Sequence, residues 1–445
     1  MKTIQTSFIF KLSLVLFTFF TLNARASVTL LDKDQWKILM GGFVETDTIV
    51  DSSRGYAEVA GNSPVGRVDS VGRTQFSIRN SRLSFTVEAP EQEGWKSKAY
   101  YELDFLGYDV DPSKLNSNNT EAGLFNNPTL RTRHLYLQAD KEGWSILAGQ
   151  TWMLLGWQPY YFMPTLQVSP ISGMLYGRTA QIHILKTQTL ADQTTWQAAL
   201  GIMRPPQRDA NLPGFEGGLR WAAGTRSSGF AGGGSAPVKT QPLSVGLSGA
   251  YREIATPSNT SDATSSTTHH SGYAAALDTL IPVIASSDGK DVSNTLSFGG
   301  EFTIGKGYGD QFANWTGNLA SPLNTAAAAP TKNTNLDAGI GGYDSSGAFQ
   351  LVKLRTFNGY LQYHLPAETR TWLGTGYGQL YSSNIGQLTG SSTTYDKQET
   401  YFGNILHDCT NQIRVGLEYA YSQTHYSDNL VTHNNRVQVS AWFIF

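Results

Sequence analysis

The stretch Arg436-Val437-Gln438-Val439-Ser440-Ala441-Trp442-Phe443-Ile444-Phe445 decides the fold class. Val437, Val439, Ala441, Phe443 and Phe445 fall on one face of an extended chain, and Arg436, Gln438, Ser440 and Trp442 on the other. Successive side chains of a strand point to opposite faces, so this period of two builds one apolar face and one mixed face. The pattern recurs upstream. Ile413, Val415, Leu417, Tyr419 and Tyr421 alternate with Arg414, Gly416, Glu418 and Ser422. Ala99, Tyr101, Leu103 and Phe105 alternate with Lys98, Tyr100, Glu102 and Asp104. Helix-period segments are almost absent between such runs, so the chain reads as all-β.

Sixteen strands are predicted, near 37–50, 74–88, 95–107, 130–140, 143–151, 178–189, 192–204, 216–225, 241–253, 271–280, 293–305, 349–364, 369–382, 397–408, 411–424 and 434–445. Connections after even-numbered strands are mostly tight, as at Asp140 to Gly143 and Asp408 to Asn411; 226–240 and 282–292 are longer. Those after odd-numbered strands are mostly long, as at Asp51–Arg73, Tyr108–Thr129, Trp152–Gly177 and Lys306–Ala348. Short turns at one end and long loops at the other are the signature of a transmembrane antiparallel up-and-down β-barrel of the bacterial outer membrane.

Composition agrees. The 445 residues include 45 Gly, 21 Tyr, 21 Phe and 10 Trp, yet only 15% are charged and mean hydropathy is −0.28. Transmembrane helices need runs of about 20 apolar residues, which are missing. The single Cys, Cys409, excludes a disulfide scaffold. The balance of 33 Lys+Arg against 35 Asp+Glu disfavours nucleic acid as a partner. Strands with one face in lipid and one in an aqueous lumen reconcile many aromatics with a hydrophilic mean. A charge on the lipid face would cost about 2–4 kcal/mol at the midplane, which accounts for the low charge content.

The chain opens on an address. Lys2 and Lys11 precede an apolar run from Leu12 to Leu22, and Asn23-Ala24-Arg25-Ala26 has the small–x–small form of a cleavage site. Residues 1–26 are expected to be a signal peptide, removed on export. Residues 27–36 would then be a short periplasmic N-terminal segment, and 37–445 the barrel. Losing Lys2, Lys11 and Arg25 moves the formal charge from −2 to −5.

A resemblance adds to this reading. The carriers are Arg79-Asn80-Ser81-Arg82-Leu83-Ser84-Phe85, Tyr101-Glu102-Leu103-Asp104-Phe105, Arg131-Thr132-Arg133-His134-Leu135-Tyr136-Leu137, Gly149-Gln150-Thr151-Trp152 and Gly416-Leu417-Glu418-Tyr419. In this order they resemble Gram-negative trimeric porins, particularly the DcaP-like and phosphate-selective relatives. The terminal strand, with Phe443 and Phe445, resembles the signal read by the outer-membrane assembly machinery. The resemblance implies sixteen strands, a homotrimer, passive diffusion of small solutes, an outer-membrane location among lipid and lipopolysaccharide, and no cofactor. It also implies that the third long loop folds inward and narrows the pore.

That loop, 152–177, contains no Asp, Glu, Lys or Arg. Trp157, Tyr160, Tyr161, Phe162 and Tyr176 make it an aggregation hazard if exposed, so it is expected to turn inward as the constriction. Its other reading is a patch against a second subunit or lipopolysaccharide. Arg82, Lys96, Lys98, Arg252, Arg414 and Arg436 are assigned to the lumen, as are Glu102, Asp104, Glu88, Glu301 and Glu418. The basic set suggests a mild anion preference, for carboxylates or phosphate, because charged walls concentrate counter-ions. The acids argue against it. Two strands resist assignment. If Leu135 and Leu137 face lipid, so do Arg131 and Arg133, unless a bulge intervenes. Lys353 and Arg355 pose the same problem.

Enzymatic and structural barrels make other demands on a sequence. A phospholipase barrel needs a Ser–His pair oriented by a third group, and a protease barrel needs rim acids and His. None of the eight histidines lies in a recognisable nucleophile motif; His269-His270 sit in a Ser/Thr-rich stretch, and His425 and His433 flank the last loop near Asp428. No metal or phosphate-loop motif occurs, and Gly232-Gly233-Gly234 reads as a connection. A structural or adhesive barrel would use 306–348, read as an irregular solvated loop, as its binding surface.

Overall fold

A computed structural model of the protein describes residues 27–55, 64–68, 70–107, 128–167, 171–207, 210–257, 266–312, 315–319, 336–388 and 393–445. The expected signal peptide, 1–26, lies outside the described residues, as do parts of the 258–271 and 306–348 stretches.

The sixteen strands close into one antiparallel barrel. They are β1 (Trp36–Asp51), β2 (Arg73–Ser77 and Arg82–Glu88), β3 (Lys96–Asp104), β4 (Arg131–Lys141), β5 (Trp144–Trp152), β6 (Arg178–Thr189), β7 (Thr195–Met203) and β8 (Gly214–Phe230). There follow β9 (Lys239–Pro257), β10 (Thr267–Ile284), β11 (Leu296–Lys306), β12 (Lys353–His364), β13 (Thr371–Ser382), β14 (Tyr395–Asp408), β15 (Ile413–Tyr426) and β16 (Val431–Ile444). Each pairs with its sequence neighbour, and β16 returns to β1 from Phe43 opposite Ile444 to Asp51 opposite Arg436. Closure pairs the sixteen barrel strands all the way round, so their backbone polar groups find partners within the sheet. Tight turns follow from local chemistry: Glu142 and Gly143 both have positive φ, 49° and 79°, which a two-residue hairpin turn requires.

One paired segment was not expected. Val28–Lys33 pairs with Trp36–Met40 through a turn at Asp34 and Gln35. It runs along β1 just past the end of β16, where Phe445 and Gly42 exchange two backbone hydrogen bonds of 2.8 and 3.1 Å. Val28–Lys33 is therefore an outlying strand of the sheet, within the short N-terminal segment 27–36.

The two faces differ as the alternation requires. Leu137, Leu247, Phe302, Leu361, Leu417 and Val439 are exposed on the outside, while Arg414, Glu418, Gln438 and Ser440 are buried on the inside. Apolar clusters fill the interior on the β8–β16 side. One joins Trp157, Tyr161, Met163 and Met174 to Phe230, Tyr360 and Phe402; another joins Leu166 to Phe43, Trp372, Trp442 and Ile444. The connection 307–352 also contributes. Its Tyr308, Phe312, Trp315, Leu319, Leu336 and Ile340 are buried, and Leu175 pairs with Phe312. For the described residues this corrects the reading of 306–348 as a solvated loop: their large apolar side chains dock on the inner wall.

Candidate functional site

The 152–177 loop lies against inner-wall carboxylates, and these satisfy its backbone. Glu216 on β8 accepts from the Leu154 and Leu155 amides, both at 2.9 Å. Glu301 on β11 accepts from the Leu175 amide at 3.0 Å. Glu418 on β15 accepts from the Leu166 amide at 2.8 Å, the Thr165 hydroxyl at 2.8 Å and the Gln167 side chain at 3.0 Å. A loop with no charge of its own thus turns its donors toward three buried glutamates. Charge-assisted bonds of this kind are about twice as strong as neutral ones.

The loop aromatics divide into two groups. Trp157 donates to the Leu247 carbonyl at 3.2 Å, Tyr161 accepts from Arg220 at 3.2 Å, and Tyr160 lies 4.1 Å beneath the Arg220 guanidinium. These three fix the loop to the wall. Phe162 and Tyr176 instead stack around Trp152 and line the open lumen, with ring centroids 4.8 Å away in each case.

Beside the loop, inside the barrel, lies a cavity of about 1020 Å³, part of it continuous with solvent. It is displaced toward β1–β5. Glu45, Asn80, Arg82, Tyr100, Glu102 and Arg133 form one side; Met163, Leu166 and Met174 of the loop form another. The third side is the turn 231–238, which folds up from the tight-turn end. Arg414 donates to the Gly234 and Ala236 carbonyls at 2.7 Å each and is itself held by Asp408 at 2.8 Å. Gln362 binds the Ala231 amide at 2.8 Å, and Gly234 lies so close to Trp442 that a Cβ there would stand 2.5 Å from the ring.

The lumen residues expected from sequence meet different fates. Arg82 borders the open space, reaches Asn80 at 3.4 Å, and has a buried Nε with no hydrogen-bond partner. Glu102 and Asp104 face inward and are bound by Arg133, at 2.5 and 3.0 Å; Asp104 also takes two bonds from Arg131. Lys98 faces inward opposite Glu88. Lys96 sits at a turn, well exposed, 4.0 Å from Glu91. Arg252, Arg414 and Arg436 face inward but are spent on structure. Arg252 binds Asp310 and the Gly307 carbonyl, and Arg436 binds Asp51 at 2.7 and 3.0 Å. Carboxylates thus reach four of the six basic residues assigned to the lumen, Lys96, Arg252, Arg414 and Arg436.

Sequence reasoning missed Arg178 and left Arg133 undecided. In β4 the ladder slips: Glu102 pairs with His134 and Leu103 with Thr132, so Arg133 is an inserted residue. The bulge turns Arg133 inward, 1% exposed, while Leu135 and Leu137 stay outside. Arg178, first in β6, lies over Trp152 at 4.5 Å and Tyr176 at 5.3 Å, and its Nη1 is buried without a hydrogen-bond partner. It lies within the electrostatic reach of Arg133, Arg131 and Arg82. The bulge was foreseeable only as an alternative, and Arg178 looked like any residue at a loop end. Lys353 and Arg355 face outward, with Phe357.

A closed sixteen-stranded antiparallel barrel with long connections at one end is the fold of the Gram-negative porins. Solved structures of outer-membrane proteins share this architecture with the chain. The outer membrane channel DcaP of Acinetobacter baumannii is 16% identical, with 93% of this chain and 99% of that chain covered and a TM-score of 0.63. OmpF of Salmonella typhi is 9% identical, with 94% and 100% covered and a TM-score of 0.51. The trimer form of OmpT, an outer membrane protein of Vibrio cholerae, is 11% identical, with 92% and 99% covered and a TM-score of 0.50. No family model and no curated protein matches the sequence.

Proposed function

We propose that the protein is an outer-membrane porin, a passive channel for small hydrophilic solutes, and not an enzyme. The 152–177 loop is its constriction, and the shared fold with DcaP and OmpF supports this reading. One observation carries the finer step, a mild anion preference. The carboxylates Glu216, Glu301 and Glu418 are covered by the loop they hold, whereas Arg82 and Arg133 border the open space and Arg178 backs its Tyr176 and Trp152 rim. Three acids are therefore hidden under the loop. Glu45 and Glu102 do border the open space, but Arg133 binds Glu102 and Asn80 donates to Glu45, which leaves the arginines in excess around it. An excess of one sign on a wall raises the local concentration of the opposite ion. Planar or tetrahedral oxyanions such as carboxylates and phosphate suit guanidinium geometry.

The same reading makes the chain a homotrimer in the outer membrane, exported by its leader and assembled through the strand ending in Phe443 and Phe445. The test is a planar-bilayer recording in a potassium chloride gradient. The reversal potential should take the sign of an anion-preferring pore, and Arg82→Gln with Arg178→Gln should move it toward zero. A cation-preferring wild type would sink the anion reading, and a silent bilayer would sink the channel.

A further inference from the structure

The lipid-facing surface carries three cations that the channel reading does not use. Lys306 ends β11 and Lys353 begins β12; they stand directly opposite each other, and Arg355 follows one step inward, opposite Ile304. All three point outward. Like charges facing each other across a ladder destabilise a sheet. The outward positions of β11, β12 and β13 contain no Asp or Glu to offset them. The next outward carboxylates around the barrel are already engaged. Glu253 on β9 is bound by His269 at 2.8 Å, and Glu399 on β14 by Lys397 at 2.8 Å.

Their depth is informative. Immediately inward lie exposed Phe302, Ile304 and Phe357, the edge of the apolar band. Two tyrosines frame the group: the Lys306 ammonium is 4.9 Å from the Tyr273 ring, and the Arg355 guanidinium 4.6 Å from the Tyr381 ring. Amphipathic rings collect where the hydrocarbon meets the head groups. The penalty for a lipid-facing cation fades to near nothing at that depth. An anion seated there would relieve the repulsion between Lys306 and Lys353. A guanidinium and two ammoniums complement phosphate oxygens.

We propose that Lys306, Lys353 and Arg355 form a docking site for the phosphate groups of a phosphorylated lipid in the surrounding leaflet. The occupant is a lipid rather than free phosphate, because its acyl chains would cover Phe302, Ile304 and Phe357 while its head group meets the cations. The inference rests on the barrel spanning a membrane.

Native mass spectrometry of the full-length protein in detergent tests it, with bisphosphorylated lipid A and the same lipid after phosphatase treatment as probes. Each cation near an anionic lipid surface favours binding by roughly fivefold, so three give a preference on the order of a hundredfold for the phosphorylated lipid. Lys306→Gln with Lys353→Gln and Arg355→Gln should reduce that preference to about threefold or less. Lys186→Gln, at the tight-turn end, should leave it intact. Heat-shifted electrophoretic mobility and single-channel conductance report that the triple variant is folded. Equal retention of both lipids by the wild type, or an undiminished preference in the triple variant, overturns the site. A wild type that fails to insert into bilayers overturns the membrane reading on which it rests.

Discussion

Arg133 on β4 donates to Glu102 on β3 at 2.5 Å across a ladder that is out of step by one residue. That inserted residue is Arg133 itself. In regular register it would share the outward face with Leu135 and Leu137, where a charge costs about 2–4 kcal/mol at the bilayer midplane. The bulge converts a lipid-facing liability into the centre of the lumen wall, and bulges commonly re-aim side chains beside functional sites.

Arg133→Gln leaves Glu102 and Asp104 with less positive charge around them. Removing one partner of a buried pair costs about 3–5 kcal/mol, because the remaining charge is uncompensated. Urea unfolding should show that loss, and Arg133→Gln with Glu102→Gln should recover part of it. In bilayers the single variant should shift reversal potential toward cations. Unchanged stability and selectivity would detach Arg133 from both roles.

Glu418 gathers Thr165, Leu166, Gln167 and also Asn404, the last at 2.8 Å. Glu418→Ala strips the middle of the 152–177 loop of its acceptor. Hydrogen bonds to charged groups contribute about 1.5–3 kcal/mol each in favourable settings, so the loop should loosen before the barrel does. Single-channel traces should become noisier and conductance should rise, while heat resistance of the barrel changes less.

Arg414 holds the 231–238 turn by two carbonyls, and Trp372 lies 4.5 Å under its guanidinium. Arg414→Gln cannot span Asp408 and both carbonyls. The turn should swing out of the lumen and conductance should increase. Gly234→Leu should act through sterics alone, since its first side-chain carbon would meet Trp442. If neither variant alters conductance, the turn does not limit the pore.

At the loop end, Arg67 binds Asp428 at 2.5 and 3.3 Å, and the Tyr426 hydroxyl donates to the Val65 carbonyl at 2.6 Å. The hydrogen bonds from Arg67 hold the Asp428 carboxyl below the usual carboxylate range. A depressed value gives a contribution that is full above the ordinary aspartate pKa of about 3.9 and is lost as pH falls through the lower native value. Hydrogen exchange at Val65 should therefore be flat from neutral pH to pH 5 once corrected for intrinsic rates, and should quicken in stronger acid. Arg67→Gln should abolish that acid response; its persistence would assign the effect to another group.

Much of the wall was legible because its signals are local. Alternation at Ile413–Tyr421 shows in the exposure of Val415, Leu417 and Tyr419, and Glu142-Gly143 turns as a two-residue hairpin does. The strand Val28–Lys33 escaped notice because an isolated apolar pair, Leu30 and Leu31, obscures its alternation. Arg252 and Arg436 were placed on the correct face, but facing alone does not reveal a partner. Asp310 comes from the far loop and Asp51 from the strand that closes the barrel.

Sequence by itself determined the sixteen strands, the segregation of short and long connections, and an uncharged aromatic loop at 152–177. These depend on the period of the strand, on turn chemistry and on composition, all set within a few residues. Only the tertiary structure decided which charges meet the water. Glu301 and Glu418 are taken by loop amides more than 100 residues away in sequence, Arg414 by the 231–238 turn, and Arg133 is turned inward by a single-residue slip in register. A charge matters to a pore by what lies within hydrogen-bond reach, and closing the barrel sets that reach.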